Sequence, residues 1–163
     1  MSWIEHLRAK IAYNEWANEK VFSAAESLSD EQLSAERTGT SSGSIARDLA
    51  HLVRVQGWWH SVAADTAFEP PDDPPPDGAM PALRERLAGS DADLRELAAS
   101  LTEESLDRTI QRTRGNETWE WSQWQVVEHL LNHSAHHRAE IGQALFGLGV
   151  SPGDMDFIFF LRV

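Results

Sequence analysis

The stretch Ser122-Gln-Trp-Gln-Val-Val-Glu-His-Leu-Leu-Asn-His-Ser-Ala-His-His-Arg138 combines a helix start, a periodic apolar face and a cluster of histidines. Its first four residues, Ser122 to Gln125, match a Ser-x-x-Gln capping box. In this motif the serine and glutamine side chains each satisfy a backbone amide left unpaired at a helix N-terminus. Apolar residues then recur at helical spacing, and His133 and His137 fall in the same stripe. The stretch therefore predicts an amphipathic helix that turns two imidazoles toward a protein interior.

Three other segments show the same three- and four-residue spacing of apolar residues, so that four helices are predicted: residues 4–28, 45–64, 80–101, and a last one from 122 to Gly147 or Gly149. Between the third and fourth helices the pattern is less regular. A short extended piece is predicted at residues 108–113, and Gly115-Asn116 is a turn signal, but no convincing set of strands follows. The sequence therefore predicts an all-α fold, a four-helix bundle.

Residues 70–81 form the longest interruption of the helical pattern. Seven of these positions are proline or glycine, which disfavour regular backbone structure: Pro70, Pro71, Pro74, Pro75, Pro76, Gly78 and Pro81. We expect a long crossover between the second and third helices within a single domain, residues 1–163, because neither half looks able to form a core alone. The apolar tail, residues 154–161, is expected to pack across the bundle or against a second copy of the chain.

The chain is acidic, with 26 Asp and Glu against 14 Lys and Arg and a formal net charge of −12. A phosphate backbone would be repelled, so we expect no nucleic acid partner. The absence of cysteine excludes disulfides and thiolate metal ligands. No apolar run approaches the roughly 20 residues of a membrane-spanning helix, and the first residues do not resemble a signal peptide. We therefore expect a cytoplasmic protein with no membrane partner.

His133 and His137 are four residues apart, a spacing that places two imidazoles on one helix face, close enough to hold one metal ion. His51, in the middle of the second helix among apolar residues, is the expected third ligand. Three imidazoles from two helices would leave coordination positions open to water or substrate, as in catalytic metal sites. Such a site would be mononuclear and would suit zinc, nickel, iron or copper. The alternative is that these are ordinary core or surface histidines.

Three further residues lie near the expected ligands. His129, one turn before His133, is a fourth ligand, a base beside the site or an ordinary residue at the bundle edge, and the last two interpretations are favoured. His136 points about 100° away from its neighbour on a helix and is not expected to bind the metal. Asp48 either orients the ring of His51 or is an exposed acid in the first turn of its helix, and the second interpretation is favoured.

Three motifs occur in the predicted helices in a fixed order: Tyr13-Asn-Glu-Trp-Ala-Asn18, Ile45-Ala-Arg-Asp-Leu-Ala-His-Leu52, and His133-x-x-His-His-Arg138 followed by Ile141, Gly149, Pro152 and Asp156. Together they resemble the DinB-like superfamily of metal-binding four-helix bundles, which includes bacillithiol- and mycothiol-dependent transferases. The resemblance covers nearly the whole chain. It implies a metal site formed by His51, His133 and His137, with a divalent ion such as zinc, nickel or iron.

One departure from the family pattern lies beside this site. The family often has Gly-Gln after the His-Arg pair, where this chain has Ala139-Glu140. The added carboxylate of Glu140 is expected either to contact a bound water or to face solvent.

The resemblance implies two kinds of activity, because characterised members use the metal to activate a small thiol cofactor or a water. We therefore expect a metal-dependent enzyme acting on a small-molecule substrate, either a hydrolase or a thiol transferase supplied with a low-molecular-weight thiol. Asn14, Trp58 and His129 would line its pocket, although core packing is the commoner role of a tryptophan such as Trp58. The alternatives are a non-catalytic bundle that binds metal or a small ligand, and a metal-free interaction scaffold. A homodimer is expected in each case.

Overall fold

The computed structural model describes residues 2–38, 41–70 and 80–162. In these ranges the elements follow in the order α1 (Trp3–Ala25), α2 (Asp30–Ser34), α3 (Ile45–Ala64), α4 (Met80–Ser100), α5 (Glu103–Leu106), β1 (Thr109–Arg114), β2 (Glu117–Ser122), α6 (Gln123–Phe146) and α7 (Phe157–Phe160). The four long helices are the four that the sequence predicts, and the four-helix bundle is confirmed. Most of the predicted proline-rich crossover, residues 71–79, lies outside the described residues.

The long helices pack in a ring in which α3 contacts α4 and α6, and α1 also contacts α4 and α6. Helices α1 and α3 are therefore diagonal to each other, although they are consecutive long helices in the chain. The same holds for α4 and α6. This order places α3 and α6 side by side, so that the histidines of these two helices can meet.

A β-hairpin joins α4 and α5 to α6. Strands β1 and β2 are antiparallel, with Ile110 opposite Trp121, and Gly115 occupies the turn at a φ of 63°, a left-handed conformation that glycine adopts without strain. The extended piece and the turn were predicted, but the second strand was not. Its sequence Glu117-Thr-Trp-Glu-Trp-Ser122 is short and mostly exposed, so it carries no run of buried residues that would mark a strand.

The first helix is shorter than predicted. It ends at Ala25 rather than near Leu28, because Ser29 begins a separate helix, α2, through a capping box with Gln32. The short helices α2, α5 and α7 were all missed, since four or five residues are too few to show a helical period.

The bundle interior consists of two apolar clusters with a polar layer between them. Leu7, Leu94 and Leu130 belong to one cluster, and Phe22, Leu49 and Ile141 belong to the other. Between them, each long helix contributes buried polar side chains: Asn14, Asn18, Gln56, Ser90, Asp91 and Arg138. The layer forms because a polar residue replaces an apolar one at the same height on all four helices.

Two central residues, Gln56 and Arg138, make most of the hydrogen bonds of the polar layer. Gln56 accepts from Asn14 Nδ2 at 2.8 Å and from Asn18 Nδ2 at 2.9 Å, and donates to Asp91 Oδ1 at 2.8 Å. The Arg138 guanidinium donates to the side-chain oxygens of both asparagines and lies 5.5 Å from the centre of the Tyr13 ring. These contacts make the buried polar groups tolerable in an apolar interior.

The predicted apolar tail packs across the bundle with only part of its surface. Phe157 and Phe160 make edge contacts with the Tyr13 ring of α1, with ring centres 5.2 and 6.0 Å apart. Ile158 and Leu161 are 58% and 56% exposed. None of the helices in the described ranges has an 18-residue window apolar enough to cross a membrane.

Candidate metal centre

The structure brings together the three histidines predicted as metal ligands. His51 lies on α3, and His133 and His137 lie one turn apart on α6. The ring centre of His137 is 4.5 Å from that of His51 and 4.5 Å from that of His133, while His51 and His133 are 6.5 Å apart. Within residues 2–38, 41–70 and 80–162, however, no group of three or more His, Asp or Glu side chains is arranged to hold a metal ion. The rings are packed together without sharing a coordination centre.

His133 has the electronic state that a metal ligand requires. Burial, together with the charges that its neighbours His137, His129 and His51 would carry, lowers its pKa to about 4. The imidazole is therefore neutral at physiological pH, so a proton does not compete for its lone pair. Its Nδ1 is buried, and no hydrogen-bond partner for it occurs in the described part of the chain. A buried polar atom in that state fits a site that a ligand completes.

Glu140 fixes the orientation of His137. The Nδ1 of His137 lies 2.9 Å from Glu140 Oε2, and because a carboxylate only accepts hydrogen bonds, Nδ1 must be the protonated nitrogen. The lone pair of His137 is therefore on Nε2. Glu140 also accepts from Ser41 Oγ at 2.6 Å and from His136 Nε2 at 3.2 Å. The carboxylate therefore contacts the histidine cluster and does not merely face solvent, which was one of the two interpretations of Glu140. The other, contact with a bound water, stays a prediction.

The ionisation of Glu140 suits this role. Partial burial alone would raise its pKa, but the hydrogen bonds from Ser41 and His137 outweigh that effect and leave the pKa below its ordinary value. Glu140 is therefore an anion at neutral pH. A carboxylate bonded to the second nitrogen of a metal-binding histidine is a common arrangement in metalloproteins.

His51 is contacted by an arginine that the sequence reasoning did not single out. Arg54 Nη2 donates to His51 Nδ1 at 3.0 Å. Arg54 lies three residues after His51, a spacing that places the two side chains on the same face of α3. This spacing is the only sequence signal for the contact between Arg54 and His51. The same spacing also occurs when the arginine side chain extends into solvent, so the sequence alone does not predict the contact.

Asp48 is not the exposed acid that was favoured from the sequence. It is 2% exposed, and its Oδ1 accepts from the backbone amide of Ser42 at 2.8 Å. That interpretation was wrong, because the chain before α3 folds over the first turn of the helix and covers the carboxylate. Asp48 thereby ties this segment to the helix that carries His51.

The other predicted residues occupy different places around the cluster. His129 is exposed, with its ring centre 4.1 Å from that of Trp59 and 5.4 Å from that of His133, and partial burial of the ring lowers its pKa. The side chain of His136 is 72% exposed. Asn14, which was also expected to line the pocket, is fully buried in the polar layer. Trp58 is 38% exposed and does line a groove beside the site.

Comparisons with known proteins agree with this architecture. The model of the DinB family matches residues 5–163. Among solved structures, YfiT from Bacillus subtilis matches with a TM-score of 0.55 and 21% sequence identity, over 93% of this chain and 91% of that chain. YfiT is described as a probable metal-dependent hydrolase with an unusual four-helix bundle topology. At that identity the likeness shows a shared fold. The comparison with curated protein sequences gives no match.

Proposed function

Because the chain belongs to the DinB family, we propose that it is a mononuclear metal-dependent enzyme of the hydrolase type. In this proposal His51, His133 and His137 hold one divalent ion, with zinc, nickel and iron as the candidates, and the partner is a small-molecule substrate. The resemblance that the sequence motifs indicate is confirmed by the family match. Beyond the family membership, the identity of the metal ligands, of the ion and of the reaction is what we propose.

The convergence of three imidazoles from two helices is the observation that carries the proposal. The ring centres of His51 on α3 and His137 on α6 are 4.5 Å apart, although these residues are far apart in the sequence. His133, one turn before His137 on α6, also lies 4.5 Å from the His137 ring. The donor set also fits a divalent ion, because His133 is neutral and His137 is oriented by Glu140 with its Nε2 lone pair available. The Nδ1 of His133 has no hydrogen bond in the described part of the chain, and the terminal torsion of an imidazole is broad, so this ring can turn toward a shared ion.

When bound, the ion would supply Lewis acidity toward a water, a thiol or a carbonyl oxygen. The protein's own residues have separate tasks. Glu140 holds the proton on His137 Nδ1 and keeps that ring in one orientation. His129 lies at the exposed edge of the cluster, 5.4 Å from the His133 ring, where a neutral imidazole can accept a proton from a reacting group.

The hydrolase type is favoured over the thiol transferase by one comparison. YfiT, whose fold this chain shares, is described as a probable metal-dependent hydrolase. The transferase version requires a low-molecular-weight thiol as a second substrate, since the chain contains no cysteine. Turnover of ester and amide substrates by metal-loaded protein, with and without an added small thiol, distinguishes the two. Turnover that depends strictly on the thiol would exclude the hydrolase.

Metal content is the direct test of the proposed site. We expect tag-free wild-type protein to carry about one equivalent of zinc, nickel or iron by mass spectrometry, and His51→Ala and His137→Ala to lose it. His136→Ala is the matched control, because it removes an exposed imidazole next to His137 and should retain the metal. Wild-type protein that binds neither zinc nor nickel after incubation would leave only the interaction-scaffold alternative.

We also propose that the chain forms a homodimer through the exposed side of its tail. Within the tail, Ile158 and Leu161 are each more than half exposed, and Phe159 is 38% exposed. Contiguous apolar residues of this size on a surface are typical of an interaction site. The second copy is the occupant that the proposal names, because the same chain supplies the same apolar surface and a twofold contact is self-complementary.

A further inference from the structure

Four of the seven tryptophans of the chain lie on one face of the bundle, where the β-hairpin packs against α3. They are Trp58 and Trp59 on α3 and Trp119 and Trp121 on β2. The ring centres of Trp58 and Trp59 are 4.4 Å apart, those of Trp59 and Trp121 are 6.1 Å apart, and those of Trp119 and Trp121 are 6.0 Å apart. The four rings therefore form one continuous tryptophan surface across two elements.

The tryptophan surface adjoins the histidine cluster. The ring centre of His129 lies 4.1 Å from that of Trp59 and 5.4 Å from that of His133. The His133 ring in turn lies 4.5 Å from the ring of His137, another of the proposed metal ligands. An unbroken series of ring contacts thus connects the proposed metal site with the hairpin, and a molecule bound on the tryptophan surface lies beside that site.

A groove of about 690 Å³ includes part of the tryptophan surface. Trp58 and Trp119 line it together with Phe68, and these two indole side chains are 38% and 36% exposed. Phe68 packs closely on α3 at Gly57, where an added Cβ would lie only 3.2 Å from the phenyl ring. Large apolar side chains that stay exposed together in a cavity are typical of a ligand site, and a cavity of this volume is in the range that small molecules occupy.

Both charged side chains that line the groove already have partners within the protein. Arg112 donates to Asp65 Oδ1 at 2.7 Å and to the carbonyl oxygen of Ser61 at 3.2 Å. Arg54 donates to His51 Nδ1 at 3.0 Å. A charged ligand would have to displace these partners, because burying a charge without a partner of its own is costly. The groove therefore favours an uncharged ligand that binds through its apolar surface.

Indole rings distinguish a planar aromatic ring from a saturated ring of similar size. Two aromatic rings adopt offset-stacked or edge-to-face arrangements, which contribute free energy beyond the burial of apolar area, whereas a saturated ring contributes the burial alone. We propose that the groove binds an uncharged small molecule with a planar aromatic ring, and that Trp58 and Trp119 contact this ring. The assignment of the molecule as the substrate of the metal site rests on the proposed function.

Calorimetric titration of zinc-loaded, full-length protein tests the proposal. The two main probes are naphthylacetamide and its saturated counterpart decahydronaphthylacetamide, which share an uncharged head group and differ in the ring system. We expect the aromatic amide to bind about three- to tenfold more tightly than the saturated amide, because only the aromatic ring gains the additional contact energy with the indoles. Equal affinity for the two amides, or no binding of either, would overturn the aromatic site.

Substitutions assign the preference to the two groove tryptophans. Trp58→Leu and Trp119→Leu should each reduce the preference for the aromatic amide, and the double variant should bind both amides about equally, because leucine keeps an apolar side chain without a ring. Trp3→Leu, which removes a 43% exposed indole on α1 that does not line the groove, is the matched control and should behave as wild type. Thermal unfolding monitored by circular dichroism confirms that each variant is folded. A preference that survives in the double variant would refute the assignment to these residues.

The absence of a charge requirement is tested in His137→Ala, the variant expected to lack metal. It should keep the ring preference, because His137 is not among the lining residues of the groove. The anionic probe naphthylacetate should bind this variant no more tightly than naphthylacetamide does. Tighter binding of the anion would contradict an uncharged ligand, since no metal would be present to attract the carboxylate.

Metal content measured on the same samples separates this proposal from the proposed function. Metal-loaded wild type without a ring preference would overturn the aromatic site and leave the metal site intact. Wild type that prefers the aromatic amide but holds no metal after incubation with zinc would support the aromatic site. The same result would overturn the proposed function, and with it the assignment of the bound molecule as a substrate.

Discussion

At the scale of single residues, Glu140 shows how one side chain links three others around the candidate metal centre. It accepts hydrogen bonds from Ser41, His136 and His137. The family that this chain resembles often has glutamine at this position, and a glutamine oxygen can accept from His137 but carries no charge. A carboxylate makes the imidazole a stronger electron donor toward a metal ion.

Two replacements of Glu140 should therefore lower the zinc affinity to different extents. We expect Glu140→Ala to weaken zinc binding by about 10- to 100-fold, and Glu140→Gln to weaken it less, because the amide oxygen still accepts from His137 Nδ1. Competition with a chromophoric chelator measures the zinc affinity of both variants. Glu128→Gln removes a carboxylate elsewhere on α6 and serves as the control. Equal zinc affinity in wild type and Glu140→Ala would refute the orienting role.

Asp91 is a second residue whose pKa in the folded protein differs from its ordinary value. Burial raises its pKa from 3.8 to about 6, and the charge of Glu15 adds to this effect, while the hydrogen bond from Gln56 opposes it. The folded protein therefore holds a proton on Asp91 at pH values where the unfolded chain does not. The contribution of Asp91 to the free energy of unfolding increases as the pH falls from about 7 to about 4.

The Asp91→Asn variant isolates this contribution, which is about 2 to 3 kcal/mol over that pH range. We expect the variant to be more stable than wild type near pH 7.5, and the difference to shrink as the pH falls through 6, in urea unfolding followed by circular dichroism. Asp93→Asn, an exposed position on the same helix, should follow the wild-type pH dependence. If wild type and Asp91→Asn showed the same slope with pH, the raised pKa would be refuted.

At the scale of elements, the hairpin holds the C-terminal turn of α3. The last carbonyl groups of a helix have no partner within it. Here the Ala63 oxygen accepts from Arg108 at 3.1 Å and from Gln123 at 2.9 Å, and the Ser61 oxygen accepts from Arg112. These contacts join residues that are distant in the sequence, so the attachment of the hairpin to α3 could not be predicted from the local pattern.

Loss of the Gln123 side chain should weaken this attachment. We expect Gln123→Ala to lower the free energy of unfolding by about 1 to 2 kcal/mol, since the buried hydrogen bond to Ala63 is lost and the side chain leaves a gap. Gln143→Ala changes an exposed glutamine on the same helix and should alter stability by less than about 0.5 kcal/mol. Urea unfolding measures both variants, and an equal stability of the two would contradict the proposed role of Gln123.

At the scale of the whole molecule, the ring order of the helices determines which residues meet. Helices α3 and α6 are neighbours, so His51 reaches His133 and His137, and the same order brings all four helices to the polar layer. The groove beside α3 exists because the hairpin crosses that face of the bundle. The tail covers part of α1 and leaves its other side exposed.

The exposed side of the tail leads to a prediction about assembly. Size-exclusion chromatography with light scattering should give twice the mass of the 18.2 kDa chain for wild type. We expect Ile158→Glu combined with Leu161→Glu to give a monomer, because burying two carboxylates in an apolar contact is strongly unfavourable. Ala99→Glu, at an exposed position outside the tail, should remain dimeric. A wild-type monomer at micromolar concentration would refute the homodimer.

The sequence by itself determined the four long helices and the family, because helical periodicity, capping boxes and motif spacing are local properties of the chain. It also indicated His133 and His137 as a pair, since four residues on a helix fix their relation. Only the tertiary structure decided the diagonal order of the helices, the contact of Arg54 with His51 and the burial of Asp48 and Asn14. Those features depend on which distant surfaces pack together, and many surfaces of one chain satisfy the same local pattern.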